Sequence, residues 1–251
     1  MQTDYRIATV KEDKKMNRKV KNLLYIAAGG AGIAALLPVA VYFAYEHPPI
    51  EKPKTGRDVV ACVGDSITFG SGVLPIRKKA AWPALLGEML PDREVLNYGF
   101  DNRTMQYEGN YPYTAEKMYP VTLEIRAKDY IVMLGSNDAK EVNWNPERYE
   151  RDCEDFLRRY VKISGKEHVI VMKPPKSFKR FGKDPFGIPD EKIAEAGQII
   201  ERVAGKLGIR VIDLYAFTKD HPEWFVDGVH PNIRGNRAIA EYILNSSGLG
   251  A

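Results

Sequence analysis

Five short apolar runs, Asp58–Val63, Glu94–Tyr98, Tyr130–Leu134, His168–Met172 and Arg210–Leu214, alternate along the chain with segments of helical pattern. This alternation constrains the fold more than any other feature. Parallel neighbouring strands need long crossovers, and helices with one apolar stripe supply them while covering both faces of the sheet. Helices are predicted around Trp82–Leu90, Tyr113–Ile125, Pro146–Lys162, Pro189–Leu207 and Gly235–Asn245. Pro146 and Pro189 suit a first helical turn, where a missing amide proton costs little. The expected fold is α/β, a three-layer α/β/α sandwich with a five-stranded parallel sheet.

In such a sheet ligands bind beyond the carboxyl ends of the strands. The residues that follow the runs therefore carry the functional information. Gly64-Asp65-Ser66-Ile67-Thr68 follows the first, Tyr98-Gly99 closes the second, and Gly135-Ser136-Asn137-Asp138 follows the third. Asp227-Gly228-Val229-His230-Pro231-Asn232 lies in a loop before the last predicted helix.

A serine hydroxyl is a weak nucleophile at neutral pH. It needs a base within hydrogen-bond reach, and the base needs a third group to hold its tautomer. Ser66, His230 and Asp227 fit these roles, since an aspartate three residues before a histidine on one loop can reach the imidazole nitrogen that faces away from the serine. Backbone amides of Ser66 and Gly99 and the side-chain amide of Asn137 are the candidate oxyanion donors. Each motif alone has a plainer account: Gly-Asp-Ser is often a turn with a helix cap, Asp-Gly a common turn, and a loop histidine usually solvated. The conjunction, in order and at the strand ends, favours one acyl-transfer site.

The net charge of +4 does not indicate a nucleic-acid partner. Residues 1–22 hold seven Lys/Arg against three acids, which leaves the other 229 residues with 30 basic and 30 acidic side chains. A polyanion-binding domain would concentrate its excess on the folded surface. Leu23 to Tyr45 carries no charge, and as a helix it would span roughly 34 Å, enough for a bilayer core. With the basic tail before it, the positive-inside rule places the N-terminus in the cytoplasm. The expectation is a single-pass protein of the cell membrane: tail 1–22, transmembrane helix 23–45 acting as an uncleaved anchor rather than a cleaved signal peptide, an extended linker 46–57, and an extracytoplasmic domain 58–251. Cys62 and Cys153 fit neither a disulfide framework nor a metal pattern and read as buried thiols.

GDSIT, the glycine after the second strand, GSND and DGVHPN resemble the four blocks of the SGNH (GDSL-type) hydrolases, whose name lists the serine, glycine, asparagine and histidine that stand here as Ser66, Gly99, Asn137 and His230. The resemblance spans roughly Val59 to Leu244. It implies a flavodoxin-like fold and ester hydrolysis through an acyl-enzyme, with no metal or cofactor. GDSITFGSGV, MLGSNDAKEVNW and HPEWFVDGVHPN further resemble the sialate O-acetylesterase-like branch, which implies an O-acetyl ester of a carbohydrate as substrate. Asp101-Asn102 departs from the small Ser-Gly pair of that branch. Asp65, Arg103, Asp138 and Trp144 are candidate substrate contacts, and Trp82, Tyr107, Tyr111, Tyr113 and Trp224 further candidate stacking surfaces for a sugar. Two rival readings are a lipase or lysophospholipase-type acylhydrolase and a non-catalytic, membrane-tethered glycan-binding module. The segment KPPKSFKRFGKDPFGIPDE reads as a long loop near the site, either solvated or in contact with substrate or an anionic cell-wall polymer.

Overall fold

The structure, a computed structural model, describes residues 48–250. The basic tail and the membrane helix expected over residues 23–45 lie outside the described residues. Among the described residues no helix is long and apolar enough to cross a membrane.

Five parallel strands, β1 (Asp58–Gly64), β2 (Arg93–Gly99), β3 (Asp129–Met133), β4 (Val169–Lys173) and β5 (Arg210–Asp213), form one sheet in the order β2-β1-β3-β4-β5. All five predicted runs are strands, shifted by no more than a residue or two at their ends. Successive side chains of a strand point to opposite faces, and here both faces are covered. Val59, Ala61 and Val63 of β1 face one core with Tyr130 and Val132 of β3, while Val60 and Cys62 face the other with Ile131 and Met133.

The first face is covered by α4 (Met118–Glu124), α5 (Pro146–Ser164) and α6 (Asp190–Leu207). Phe156 and Tyr160 of α5 pack there against Tyr113, Tyr119 and Tyr130, with ring centroids 4.5 to 6.0 Å apart. Burying one such aromatic side chain contributes about 1.5–3 kcal/mol. The second face is covered by α3 (Trp82–Met89) and α8 (Ile233–Ser247), through Trp82, Leu85, Leu86, Ile239 and Ile243. Among the described residues three short helices complete the set: α1 (Ser66–Phe69), α2 (Arg77–Ala80) and α7 (Leu214–Thr218). Cys62 and Cys153 are buried free thiols.

Two expectations differ from the structure. The helix predicted over Tyr113–Ile125 is a 3-10 turn at Tyr113–Ala115 followed by α4. From Ile50 onward, the expected linker is part of the domain. Glu51 accepts from the Asn97 amide at 2.8 Å, its carbonyl accepts from the Tyr98 hydroxyl, and the Lys54 and Thr55 amides donate to Glu94. The segment thus runs antiparallel along the free edge of β2, which would otherwise present unpaired backbone groups.

Candidate active site

The chain leaves β1 for β2 in one direction and β3 for β4 in the other. This reversal opens a crevice beyond the carboxyl ends of β1 and β3. Ser66 stands there as the first residue of α1, directly after β1. Asp65 caps that helix, its carboxylate accepting from the Ile67 amide at 3.0 Å, and Gly70 ends it in the left-handed conformation at φ 95°. The tight strand-to-helix turn holds Ser66 with only 5% of its surface exposed.

His230 reaches this point from a loop 164 residues away in sequence. Its Nε2 lies 2.9 Å from Ser66 Oγ, and its Nδ1 lies 2.7 Å from Asp227 Oδ2. The other carboxylate oxygen of Asp227 accepts the backbone amides of Val229 and His230 at 3.0 and 2.8 Å. Burial raises the Asp227 pKa, but the hydrogen bonds and charge of His230 and the two amides outweigh it, and the carboxyl is held below its ordinary range. Asp227 therefore stays ionised and can orient the imidazole with its Nδ1 protonated, leaving Nε2 free to accept from the serine.

The 225–232 loop owes its shape to local closure. The Val226 amide donates to the His230 carbonyl at 2.9 Å and the Asn232 amide to the Trp224 carbonyl at 2.7 Å, while Asn232 Oδ1 caps α8 by accepting from Gly235. Gly228 sits at φ 93°, where a Cβ would lie 2.2 Å from the Phe178 carbonyl oxygen. Only glycine meets both demands.

Of the three expected oxyanion donors, Ser66 and Asn137 border the crevice. Asn137 is nearly buried, with one amide proton donated to the Arg103 carbonyl at 3.2 Å and its own carbonyl held by Asn143. Gly99 differs from expectation. Its N–H donates to Asn97 Oδ1 at 2.9 Å, and a Cβ added to it would lie 2.1 Å from the Phe69 nitrogen. Its place in the structure is a close-packing position between β2 and the backbone of α1. Asn97 completes that clamp by donating through Nδ2 to the Thr68 carbonyl. The neighbouring Asn102 adopts the left-handed region at φ 62°, with its side-chain oxygen bonded to Lys140 Nζ.

Each of the four candidate substrate contacts is engaged by neighbouring residues of the domain. Asp65 and Asp138 are fully buried. Asp138 accepts the Met105 and Gln106 amides, both at 2.8 Å, and so holds the 100–112 loop to the end of β3. Burial pushes both carboxyls up to about 6, against the backbone hydrogen bonds that favour their ionised forms. Arg103 is paired with Glu116, bonded to the Asp101 carbonyl and laid over the Phe100 ring. Trp144 packs against Tyr149 and the core. Trp82, Tyr113 and Trp224 are core residues as well.

An aromatic side chain that does stand beside His230 is Phe186, which sequence reasoning did not single out. Its ring centre lies 5.2 Å from that of His230 at 68°, it is 57% exposed, and its backbone takes φ 55°. The segment between β4 and α6 delivers it, bound to the histidine loop by the Phe178 amide on the Gly228 carbonyl and by Phe178 packing on Phe225. The only sequence signal was the clustering of three Phe with five Lys/Arg in one long loop.

A five-stranded parallel sheet sandwiched by helices thus carries Asp227, His230 and Ser66 in one hydrogen-bonded line at its switch point, an arrangement in which a base can take the proton of a serine hydroxyl. The GDSL-like lipase/acylhydrolase family matches residues 62–238, more than two thirds of the chain, and the chain belongs to that family of carboxylic ester hydrolases. An acetylxylan esterase of Xylanibacter ruminicola is 31% identical over 214 residues, which cover 77% of this chain; the chain spans only 44% of that esterase's length. Among solved structures, a lipase/acylhydrolase from Enterococcus faecalis is similar with a TM-score of 0.60 at 21% identity, over 75% of this chain and 94% of the other. A carbohydrate acetylesterase from Sinorhizobium meliloti gives 0.59 at 17%, over 75% and 97%. Both share the fold.

Proposed function

We propose that the chain is a membrane-anchored, extracytoplasmic serine esterase that removes O-acetyl groups from a carbohydrate. The observation that carries the catalytic reading is the position of His230 between Ser66 and Asp227, at 2.9 and 2.7 Å. In the first step His230 Nε2 takes the Ser66 proton as Oγ attacks the ester carbonyl, and the oxyanion is met by the Ser66 amide and the Asn137 side chain. The tetrahedral intermediate expels the sugar hydroxyl, which receives the proton from His230. Water then repeats the sequence on the acetyl-enzyme, releasing acetate and restoring Ser66.

Three observations support the carbohydrate acetyl ester over a lipid ester. The sequence resembles an acetylesterase branch, the acetylxylan esterase is a relative by sequence, and the exposed Phe186 ring beside His230 offers a platform for a sugar face. The anchor rests on the uncharged run Leu23 to Tyr45 behind a basic tail, which favours insertion with the N-terminus inside. The test is hydrolysis of p-nitrophenyl acetate, butyrate and octanoate, then of acetylated xylo-oligosaccharides, by the full chain in nanodiscs beside Ser66→Ala. Acetate preference that disappears in the variant is the expected result. Octanoate preference would assign the site to lipid esters, and equal rates for both proteins would remove Ser66 from the role of nucleophile.

A further inference from the structure

The exposed apolar side chains are unevenly distributed over the fold. Among the described residues, the large ones that stand exposed are Ile76, Tyr111, Val142, Phe181, Phe186, Val226 and Ile233. Ile76 lies between β1 and α3, Tyr111 between β2 and α4, Val142 between β3 and α5, and both phenylalanines between β4 and α6. Val226 and Ile233 lie on or beside the histidine loop. All therefore stand on segments that follow the carboxyl ends of strands, around the edge that carries Ser66. The opposite edge carries none of them, and the one that belongs to a helix, Ile233, is the first residue of α8. Scattered exposed apolar residues need no explanation, but a set confined to one edge does.

Phe181 marks this edge most strongly. It is 99% exposed, at the tip of a two-residue turn closed by reciprocal bonds between the Arg180 and Lys183 backbones at 2.9 and 3.0 Å. Its φ of 51° and that of Gly182 at 74° are the left-handed pair such a turn requires, a position that asparagine fills more comfortably than a bulky ring. Neither the turn nor the core accounts for a phenylalanine there. Lys179, Arg180 and Lys183 surround it and are exposed. Lys179 comes within 3.9 Å of Asp184, whereas among the described residues no acid pairs with Arg180 or Lys183. An apolar ring projecting from a basic collar matches an anionic lipid surface, where the ring enters the acyl boundary and the cations meet head groups.

The path of the chain agrees. Glu51 is bonded beside Asn97 and Tyr98, near the carboxyl end of β2, and Thr55 beside Glu94, so the polypeptide enters the domain at the same edge. Only four residues separate Ile50 from Tyr45, where the uncharged run ends.

We propose that this edge docks on an anionic lipid bilayer, with Phe181 as the inserting tip and Lys179, Arg180 and Lys183 as its head-group contacts. The proposal takes its occupant partly from the anchor reading of residues 23–45, and places the substrate ester at the membrane surface.

Phe181→Cys in the full chain, labelled with bimane, tests the docking, because Cys62 and Cys153 are buried and stay unlabelled. Glu124→Cys, exposed at the end of α4 beside the opposite edge, is the control. The protein is reconstituted in vesicles of phosphatidylcholine with or without phosphatidylglycerol, containing doxyl-quencher lipids. The expected result is quenching at position 181 about threefold or more above position 124 in anionic vesicles, reduced to the control level by Lys179→Gln/Lys183→Gln. Hydrolysis of p-nitrophenyl acetate should be unchanged in these variants. No quenching at 181, equal quenching at both positions, or a bimane shift produced by an anionic polysaccharide instead of lipid would overturn the proposal. Alkaline carbonate extraction tests the anchor separately. A chain stripped from vesicles whose position 181 is still quenched by added anionic vesicles would refute the anchor and leave the docking face standing.

Discussion

Replacing Asp227 by asparagine isolates the orienting role of the carboxylate from its structural one. The two backbone donors, Val229 and His230, converge on Oδ1, while the imidazole alone contacts Oδ2. Asparagine can keep its oxygen at the Oδ1 position, so both backbone bonds survive, and stability should stay within about 1 kcal/mol of wild type. At the Oδ2 position it presents an N–H, which must donate to His230 Nδ1. That forces the ring proton onto Nε2, where it points at Ser66 Oγ, and a protonated Nε2 cannot accept the serine proton. Inversion of the tautomer in this way costs on the order of 10⁴ in kcat, or about 5.4 kcal/mol of transition-state stabilisation. The assay is kcat for p-nitrophenyl acetate with Asp227→Asn, Asp227→Ala and wild type, with circular dichroism and thermal unfolding alongside. Asp227→Ala should lose both the backbone bonds and the activity. An Asp227→Asn protein that is folded and keeps more than about a tenth of wild-type kcat would refute the assignment, because a tautomer-setting role cannot be partial at this geometry.

Gly99→Ala would set a methyl group 2.1 Å from the Phe69 nitrogen; separating β2 from α1 should cost about 1–3 kcal/mol and lower kcat at least about tenfold by moving Ser66, read by urea unfolding and esterase assay. Phe186→Ala should raise KM for acetylated xylo-oligosaccharides about 2- to 10-fold and leave kcat for p-nitrophenyl acetate unchanged, the loss of one aromatic contact. Asp65 and Asp138 have folded-state pKa values raised to about 6 from an ordinary 3.8, so between those values the folded state binds more protons than the unfolded one. Stability should then fall as pH rises from about 4.5 to about 7, on the order of 3 kcal/mol for the pair, and Asp65→Asn should flatten the trend. Urea unfolding at pH 4.5, 6 and 7 measures it, and a stability that rises across this window would contradict the burial argument.

The strands were legible because each fully covered strand of a parallel sheet is a continuous apolar run, a signal that needs no knowledge of its neighbours. The serine turn, the histidine loop and the GSND block were legible for a related reason. In this fold, chemistry collects at the carboxyl ends of strands, so finding the strands finds the candidate positions. The expected helix over Tyr113–Ile125 was a partial success, since a propensity pattern cannot show where a 3-10 turn gives way to an α-helix.

Read alone, the sequence therefore showed which residues follow which strand, and pointed to Ser66, His230 and Asp227, which the fold brings into one hydrogen-bonded line. Which of the other polar and aromatic residues face a substrate was decided only by tertiary contacts. Asp138 had the composition of a site residue, but its carboxylate is consumed by two amides more than 30 positions away. Trp144 became packing, and Gly99 became a point of contact with α1. Phe186, unremarkable in its loop, was carried to His230 by bonds between that loop and Gly228. Local pattern reports how a residue sits within its own element. Burial and hydrogen bonding at a crevice between elements depend on pairings far apart in the chain, which local periodicity does not encode.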